Sequence, residues 1–348
     1  NFTQYILMML KKIFYKKKVL VTGHTGFKGS WLALWLTILG AKVVGVSISN
    51  PTKPSHFETI KLKKKIIDKR IDIRNLSSLK KVFKKYQPDY VFHLAAQSLV
   101  KKSYSNPIYT WQTNTIGTIN VLESLREIKK KCVAVIITSD KSYKNIEIKR
   151  GYRENDILGG KDPYSASKAS AELIIQSYVK SYFPKSGKVR IGIARAGNVL
   201  GGGDWSEDRL IPDCIKSWSK NTNVTIRNPN STRPWQHVLE PLAGYLILGE
   251  KLFSHQIKNG NSNNPYATSF NFGPKINSNK SVEDLVEEVF KFWPGEWHDN
   301  SNLNLPNESS LLHLISDKAY QMLRWEPQLS FKETIKLTIE WYKETIND

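Results

Sequence analysis

The sequence predicts a protein of the α/β class, with a doubly wound parallel sheet and a smaller C-terminal α/β lobe for substrate binding. Three observations predict it. Short apolar runs alternate with helical patterns, a glycine-rich turn directly follows the first apolar run, and the regular alternation stops after about residue 198. Strands that alternate with helices are typical of a parallel sheet that is covered on both faces.

The first predicted unit is a buried strand, a tight turn and a helix. An apolar run at residues 19–22 leads into Gly23, Gly26 and Gly29, and apolar residues at helical spacing follow from Trp31 to Leu39. The free N-terminal amides of such a helix bind phosphate, and glycine is needed where a side chain would block the turn or the ligand. The spacing is not the G-x-G-x-x-G of many dehydrogenases, so an ordinary glycine-rich loop stays an alternative.

The remaining elements follow from periodicity. Strands are predicted at residues 42–47, 65–73, 90–94, 132–139, 188–194, 224–227 and 269–272, helices at 76–86, 109–130, 165–182, 210–219, 241–253, 282–292 and 331–342, and a loop at 255–267. We expect residues 18–198 to form a nucleotide-binding domain. Residues 199–348 should form mainly the substrate lobe, and part of this segment can return to the first domain. Ligands of such sheets bind beyond the carboxyl ends of the strands, so polar clusters there are the candidate site.

The N-terminus and the cysteines indicate where the protein works. Residues 1–17 are interpreted as a leader, a tag remnant or a frayed arm, because their apolar stretch is short and the positive charges follow it. A membrane helix needs about 20 apolar residues. Cys132 and Cys214 cannot form a disulfide framework, and neither they nor the histidines have metal-ligand spacing. The two cysteines fit a reducing compartment, so we expect a cytoplasmic protein. Because the ligand spacing is missing, we expect no metal.

The chain is strongly basic, with a net charge of +21 from 52 Lys and Arg against 31 Asp and Glu. Such a balance is compatible with nucleic acid, a membrane surface or an acidic small molecule as partner. No zinc-ligand spacing, helix-turn-helix pattern or aromatic RNA-binding pattern accompanies the lysine clusters. Solvated helix faces explain them more simply, and the positive field would attract a pyrophosphate. We expect neither a nucleic acid nor a membrane as partner.

Tyr164 and Lys168 stand four residues apart at the start of a predicted helix. At that spacing the two side chains share one face. A nearby ammonium lowers the pKa of a tyrosine, so we expect Lys168 to lower the pKa of Tyr164. Tyr164 could then remove a proton from a substrate hydroxyl. The pair alone is a weak signal, but its place after an apolar strand strengthens it.

Ser139, Asp140 and Lys141 directly follow the apolar strand predicted at residues 132–139. Ser139 could bridge the tyrosine and a substrate hydroxyl. Asp140 could protonate a leaving group if burial favours its neutral form, and Lys141 could remove a carbon-bound proton if burial or Lys168 favours its neutral form. The alternative is a polar turn with a surface Asp–Lys pair.

Several sequence strings together resemble the extended short-chain dehydrogenase/reductases that act on nucleotide sugars, and within them the 4,6-dehydratases. The strings are GHTGFKGSWL at 23–32, LAAQS at 94–98, Asn114, TSDK at 138–141, GYRE at 151–154, GGKDPY at 159–164, Tyr164 with Lys168, RAGN at 195–198, GGGDW at 201–205 and RPWQHV at 233–238. The resemblance runs from about residue 17 to the C-terminus. It implies a Rossmann-type fold, NAD as cofactor, CDP-glucose or a similar nucleotide sugar as substrate, and a homodimer, with a tetramer as the alternative.

The resemblance also implies which residues bind each ligand. The predicted NAD-binding residues are Gly23, Thr25, Gly26, Phe27, Lys28, Gly29, Asp72, Ile73, Leu94, Ala95, Ala96, Gln97, Asn114, Thr138, Tyr164 and Lys168. The predicted substrate-binding residues are Ser98, Asn198, Arg209, Arg233 and His237. Residues 46–50 have neither the acid that binds ribose hydroxyls in many NAD enzymes nor an arginine for a 2′-phosphate. NAD is favoured there, and NADP stays open.

The implied chemistry is an internal oxidation, elimination and reduction. Tyr164, with Lys168 and Ser139, would remove the proton of the sugar 4-hydroxyl. Asp140 would protonate the departing 6-hydroxyl, and Lys141 would assist removal of the C5 proton, as a neutral base or as a charged group that stabilises an enolate. The alternatives are a nucleotide-sugar epimerase, which has no use for Asp140, another nucleotide-sugar dehydratase, and a catalytically silent nucleotide-sensing or nucleic-acid-binding protein.

Overall fold

The fold is built on a seven-stranded sheet in a computed structural model that describes residues 2–183, 187–226, 228–256, 264–300 and 311–347. The strands are β1 (Lys18–Thr22), β2 (Lys42–Ser47), β3 (Ile67–Arg70), β4 (Tyr90–His93), β5 (Cys132–Ile137), β6 (Val189–Ala196), β7 (Val199–Leu200), β8 (Val224–Ile226), β9 (Thr232–Pro234), β10 (Gln236–His237), β11 (Ser269–Phe272), β12 (Asn279–Ser281) and β13 (Trp297–Asp299). The α-helices are α1 (Phe2–Phe14), α2 (Phe27–Ile38), α3 (His56–Thr59), α4 (Leu76–Tyr86), α5 (Val100–Ser105), α6 (Pro107–Trp111), α7 (Gly117–Leu125), α8 (Pro163–Tyr182), α9 (Leu210–Trp218), α10 (Leu239–Ser254), α11 (Val282–Phe290) and α12 (Phe331–Asn347).

The central sheet is parallel, with the strand order β11-β6-β5-β4-β1-β2-β3. Its strands are apolar on both faces: Val19 and Val21 of β1 pack on one side, and Leu20 packs on the other. The strand order reverses between β1 and β4, which is where a ligand crevice opens in a doubly wound sheet. The predicted fold class is confirmed.

Helices cover both faces of the sheet. One layer, formed by α1, α2 and α10, packs on the first face, and the other, formed by α4, α7 and α8, packs on the second. The N-terminal segment differs from the expected leader or frayed arm. Leu10 and Phe14 of α1 are fully buried, and the Phe14 ring lies 4.8 Å from the Tyr90 ring. Their spacing of four residues places both on one helix face, which packs against the sheet.

The second lobe has its own core, which is rich in tryptophan. Elements α9, α11 and α12 surround it together with the strand pairs β7–β10, β9–β12 and β8–β13. The chain also returns to the first lobe, since α10 packs on the central sheet and β11 extends it beside β6. No helix in the described part of the chain has the length and apolar character needed to cross a membrane.

Some element bounds differ from the sequence predictions. The strand expected at residues 65–73 is only β3, and the helix expected at 109–130 consists of α6, a π-helical stretch at Gln112–Ile116, and α7. The π-helical stretch shifts the side chains that follow it on this helix, and periodicity alone does not reveal it. Arg227 of the predicted strand and residues 257–263 of the predicted loop lie outside the described residues.

Candidate functional site

A cavity of about 1400 Å³ lies beyond the carboxyl ends of β1, β4 and β5 and is closed on its other side by the second lobe. Residues that follow these three strands line it, as do Asn198, Arg209 and Arg233 from the lobe. Its volume exceeds the roughly 300–1,000 Å³ of an ordinary small-molecule site. The cavity therefore has room for two ligands side by side.

The glycine turn forms one end of the cavity. Gly23 has a φ of +77°, and a Cβ on it would lie 2.7 Å from the backbone nitrogen of Ala95. A Cβ on Gly29 would lie 2.0 Å from the carbonyl oxygen of Gly23, so α2 packs closely against the turn. The N-cap of α2 is Gly26, which has no side chain to cap the helix, and the first backbone amides remain available for a phosphate. This turn fits the pyrophosphate of a dinucleotide.

The loop after β2 and the residues after β3 line the same end. Thr25 Oγ1 donates to the carbonyl oxygen of Ser49 at 2.7 Å and lies 2.7 Å from Ser47 Oγ, which ties the loop to the glycine turn. Asp72 and Ile73 line the cavity as predicted. Arg74 Nη2 donates to Asp72 at 2.6 Å, and the hydrogen bonds from Arg74 lower the pKa of that carboxyl group. Asp72 thus shapes the cavity as an ion-paired carboxylate.

Residues Leu94 to Ser98 form the floor beside the switch point. The backbone amide of Gln97 donates to Asn114 Oδ1 at 2.8 Å, and Asn114 Nδ2 donates to the carbonyl of Gln97 at 3.0 Å and to Ser167 Oγ at 2.9 Å. Asn114 does not line the cavity and instead ties this loop to α8. Asn114 therefore positions Gln97, which lines the cavity, and its own predicted contact with the cofactor stays a prediction.

Thr113 is a lining residue that the sequence predictions missed. Its buried hydroxyl has no hydrogen-bond partner among the described residues, and it lines the cavity. An orphaned hydroxyl in such a place fits a ligand that supplies the missing partner. Its only signal in the sequence is its position next to Asn114.

Ser139 links the two predicted catalytic groups. Its hydroxyl donates to Asp140 Oδ1 at 2.8 Å, and the same side chain lies close enough to the phenol of Tyr164 to lower its pKa. The backbone amide of Lys141 donates to Asp140 Oδ1 at 2.8 Å, so the triplet turns tightly after β5. All four residues line the cavity. The structure thus brings the predicted acid, hydroxyl, amine and phenol together.

The electrostatics of Tyr164 differ from the expectation. Burial raises the pKa of Tyr164 to about 12, and the nearby Ser139 hydroxyl offsets that rise only in part. Lys168 lies on the same face, but its ammonium donates to the carbonyl oxygen of Ile137 at 3.3 Å, and burial lowers the pKa of Lys168 to about 8. The prediction that Lys168 lowers the pKa of Tyr164 is wrong for this state, because desolvation dominates at the buried phenol.

Cations surround the half of the cavity next to the second lobe. Lys28, Arg209 and Arg233 line it, together with Ser98 and Asn198. Burial lowers the pKa of Lys28 to about 8, while the nearby Asp140 acts in the opposite direction. Lys28 therefore extends from the glycine turn toward the carboxyl group of Asp140. A cluster of cations with arginine forks suits a diphosphate.

His237 does not take its predicted place. It lies on β10, is buried, and is not among the residues that line the cavity. Its Nδ1 accepts a hydrogen bond from the backbone amide of Leu239 at 3.3 Å, and burial lowers the pKa of His237 to about 4. The structure therefore does not support the prediction that His237 binds the substrate, because its ring is buried beside the backbone of Leu239 and not at the cavity. Within the described residues no three His, Cys, Asp or Glu side chains are grouped to hold a metal ion.

Comparisons with known proteins agree with this geometry. The profile of the family described as GDP-mannose 4,6 dehydratase matches residues 20–338. The CDP-glucose 4,6-dehydratase of Salmonella typhimurium is 43% identical over 342 residues, which are 96% of this chain and 93% of the relative. The structure of the epimerase Mth375 from Methanothermobacter thermautotrophicus matches with a TM-score of 0.80 and 26% identity, over 98% of this chain and 96% of that one. The dTDP-glucose 4,6-dehydratase from Bacillus anthracis, solved in complex with NAD, matches with a TM-score of 0.75 and 20% identity, over 94% of this chain and 97% of that one.

Proposed function

This chain belongs to the GDP-mannose 4,6 dehydratase family, and from that premise we propose that it is a hydro-lyase that converts CDP-glucose to CDP-4-keto-6-deoxyglucose with NAD, for deoxysugar biosynthesis. The 43% identity to a CDP-glucose 4,6-dehydratase supports this substrate. The observation that carries the reaction type is the chain of contacts from Tyr164 through Ser139 to Asp140 on one cavity wall. This arrangement places Tyr164, a base for the sugar 4-hydroxyl, near Asp140, an acid for the departing 6-hydroxyl.

The site fits NAD. Gly23, Gly26 and Gly29 surround the pyrophosphate position, and the hydroxyl of Thr113 lacks a partner among the described residues. When bound, NAD supplies the acceptor and later the donor of one hydride. We also propose that residues 18–198 form the domain that holds it and that residues 199–348 form mainly the lobe that holds the sugar nucleotide.

The first half of the reaction oxidises C4 of the sugar. Tyr164 takes the proton of the 4-hydroxyl while the C4 hydrogen leaves as hydride. When the phenolate forms, Ser139 would turn its one hydroxyl proton from Asp140 to the phenolate oxygen, and the ammonium of Lys168 would stabilise the phenolate from the same helix face. Because burial raises the pKa of Tyr164 to about 12, the phenolate exists only while these groups and the bound ligands support it.

The second half removes water and reduces C6. The 4-ketone acidifies the C5 hydrogen, and Lys141 takes up that proton. Asp140 gives a proton to the 6-hydroxyl, which departs as water and leaves a double bond between C5 and C6. Return of the hydride to C6 and of a proton to C5 completes the 4-keto-6-deoxy sugar, so the cofactor is not consumed. Arg209 and Arg233, with Lys28, hold the diphosphate while this happens.

A 4-epimerase is the second candidate, because a solved epimerase shares the fold with a TM-score of 0.80. An epimerase needs the hydride acceptor and the tyrosine, but it has no step that protonates a leaving group. Asp140 is buried at the cavity wall and is held by two hydrogen bonds, which favours a dehydratase.

The test is incubation of the purified protein and NAD with the CDP, dTDP, UDP and GDP forms of glucose. A 4-keto-6-deoxy product develops a characteristic absorbance in alkali. We expect this signal with CDP-glucose and no signal from the Tyr164→Phe variant. Turnover of another nucleotide sugar alone would overturn the substrate and keep the reaction type, and formation of a 4-epimer alone would favour the epimerase.

We propose a homodimer, with a tetramer as the alternative. Apolar side chains are exposed on the outer faces of α6, α8 and the π-helical stretch, among them Ile108 at 70% and Leu173 at 57%. Apolar surface of this kind marks a protein contact when it is contiguous. Light scattering of the wild type and of Leu173→Glu checks it, since the charge should shift the mass toward the monomer.

Both cysteines are free thiols, which supports the cytoplasm as the compartment.

A further inference from the structure

Behind the catalytic triplet lies a buried ion pair that takes no direct part in the reaction. Glu172 is on α8 and Arg195 is on β6, and their side chains are 0% and 1% exposed. Arg195 Nε donates to Glu172 Oε1 at 2.6 Å, and Nη2 donates to Oε2 at 2.5 Å. Such a pair is costly to desolvate, so a fold that keeps it gains something other than stability alone.

The carboxylate of Glu172 holds both ends of the catalytic triplet. Thr138, just before the triplet, donates its hydroxyl proton to Glu172 Oε1 at 2.6 Å. Ser142, just after it, lies 3.3 Å from the same oxygen and shares its proton with the carbonyl oxygen of Ser139 at 2.6 Å. One oxygen atom thus fixes residues 138 and 142 at the same time.

The same carboxylate belongs to the helix that carries the base. Tyr164, Lys168 and Glu172 follow one another at intervals of four residues, so they share one face of α8. Lys168 contacts the carbonyl of Ile137, and Glu172 contacts the hydroxyl of Thr138. These two contacts set the register between α8 and the end of β5.

Arg195 extends the connection to the next residue along the chain. Its Nη1 donates to the Tyr143 hydroxyl at 2.5 Å and to the carbonyl oxygen of Glu154 at 3.1 Å. Tyr143 in turn donates to Asn271 Oδ1 at 2.8 Å, from β11. The segment from Thr138 to Tyr143 is therefore fixed at three side chains around the triplet.

We propose that Glu172 and Arg195 are positioning residues that set where Asp140 and Lys141 stand relative to Tyr164, and that they govern water elimination more than C4 oxidation. The proposal rests on the proposed function. Tyr164 and Lys168 keep their places on α8 when the contact to Thr138 is lost, and Ser139 stays beside Tyr164. Among the described residues, Asp140 and Lys141 reach the helix only through Ser139, so they move first.

The test uses Thr138→Val, which removes the hydroxyl held by Glu172 and keeps the ion pair. Glu172→Gln would leave the buried charge of Arg195 without a counter-charge and can fail to fold, so it does not carry the test. Reactions with CDP-glucose are quenched with borodeuteride, which turns the uneliminated 4-ketone into 6-hydroxy hexoses and the product into 6-deoxy hexoses, both with deuterium at C4. Unreacted substrate carries no deuterium. We expect the ratio of deuterated 6-hydroxy to deuterated 6-deoxy sugar to rise about tenfold, the effect of one lost hydrogen bond to a charged group.

Two further variants separate positioning from general damage. Thr138→Ser keeps the hydroxyl and should recover most of the lost elimination. Ser269→Ala removes a different contact of Arg195, at 3.3 Å on the side of β11, and should leave the ratio unchanged. An unchanged ratio in Thr138→Val, a fall only in its affinity for NAD, or an equal rise in Ser269→Ala would each overturn the proposal.

A second measurement does not need turnover. Hydrogen–deuterium exchange of residues 139–143 should become faster in Thr138→Val and stay as in the wild type in Ser269→Ala. Equal exchange in both variants would overturn the proposal even if no nucleotide sugar is turned over. Conversely, a wild-type protein that forms no 6-deoxy sugar speaks against the proposed function, whatever the exchange rates show.

Discussion

Ser139 donates its hydroxyl proton to Asp140 Oδ1 at 2.8 Å, and the same side chain lies beside the phenol of Tyr164 and lowers its pKa. The group that serves the oxidation and the group that serves the elimination therefore share one bridging side chain. The two halves of the proposed reaction can be separated only by variants that spare Ser139. The following two predictions use this separation.

Asp140→Asn should retain C4 oxidation and lose elimination. The amide keeps the size of the side chain and its contact with Ser139, but it cannot protonate the departing 6-hydroxyl. Loss of a general acid lowers a rate by about 10²–10⁴-fold. The measurement is the yield of 6-deoxy sugar after borodeuteride quenching, beside the yield of 6-hydroxy sugar with deuterium at C4. Formation of 6-deoxy sugar at the wild-type rate would remove Asp140 from the mechanism.

Lys141→Met should also stop elimination, but at an earlier step. If Lys141 removes the C5 proton, the variant fails to exchange the C5 hydrogen of the 4-keto intermediate with solvent deuterium. Asp140→Asn provides the matched comparison, since it should still exchange that hydrogen. Exchange in Lys141→Met together with slow elimination would instead assign Lys141 the role of a cation that stabilises the enolate. Full turnover would exclude both roles.

The sequence predicted the parts of the site that depend on local patterns and on the sheet rule. Gly23, Ser139 and Asp140 each follow an apolar strand, and parallel strands bring their carboxyl ends to one edge. The glycine turn and the catalytic triplet consequently lie where they were expected. Tyr164 also lines this cavity, as helix spacing and the resemblance to the family led us to expect.

The parts that the sequence did not reveal depend on tertiary packing. Glu172 and Arg195 pair across two elements that no short-range pattern connects, although both lie beside recognisable motifs. The burial of His237 beside the backbone of Leu239 depends on tertiary packing in the same way. The raised pKa of Tyr164 results from burial, whose extent only the folded cavity shows.

The pH dependence of turnover should report on Lys168. Burial lowers the pKa of Lys168 to about 8. The side chain is therefore positively charged below pH 8 and loses this charge as the pH rises above 8. The phenolate of Tyr164 then loses its cation, and kcat/KM should fall above about pH 8. Lys168→Arg keeps the charge and should move this limb to higher pH, even though its activity is lower. Lys28 has a similarly lowered pKa of about 8, so Lys28→Met is the comparison. If the fall of kcat/KM at high pH shifts in Lys28→Met and not in Lys168→Arg, the titrating group is Lys28 of the glycine turn.

Acid should unfold the protein in a way that buried histidines explain. Burial lowers the pKa of His56 and of His93 to about 3 and that of His237 to about 4, whereas the usual value is 6.5. Between these limits the unfolded chain binds more protons than the folded one, so stability is lost as the pH falls below about 6.5. Each histidine contributes a slope of at most about 1.4 kcal/mol per pH unit. Urea unfolding from pH 6 to pH 4.5 measures the slope, and His56→Gln should reduce it by the contribution of one histidine among the five whose pKa burial lowers. His298→Gln, at an exposed position, is the control. An equal slope in the wild type and in His56→Gln would mean that His56 is already protonated in the folded state. Its burial and its stacking on the Trp31 ring, at 4.4 Å between ring centroids, make that charged state unfavourable.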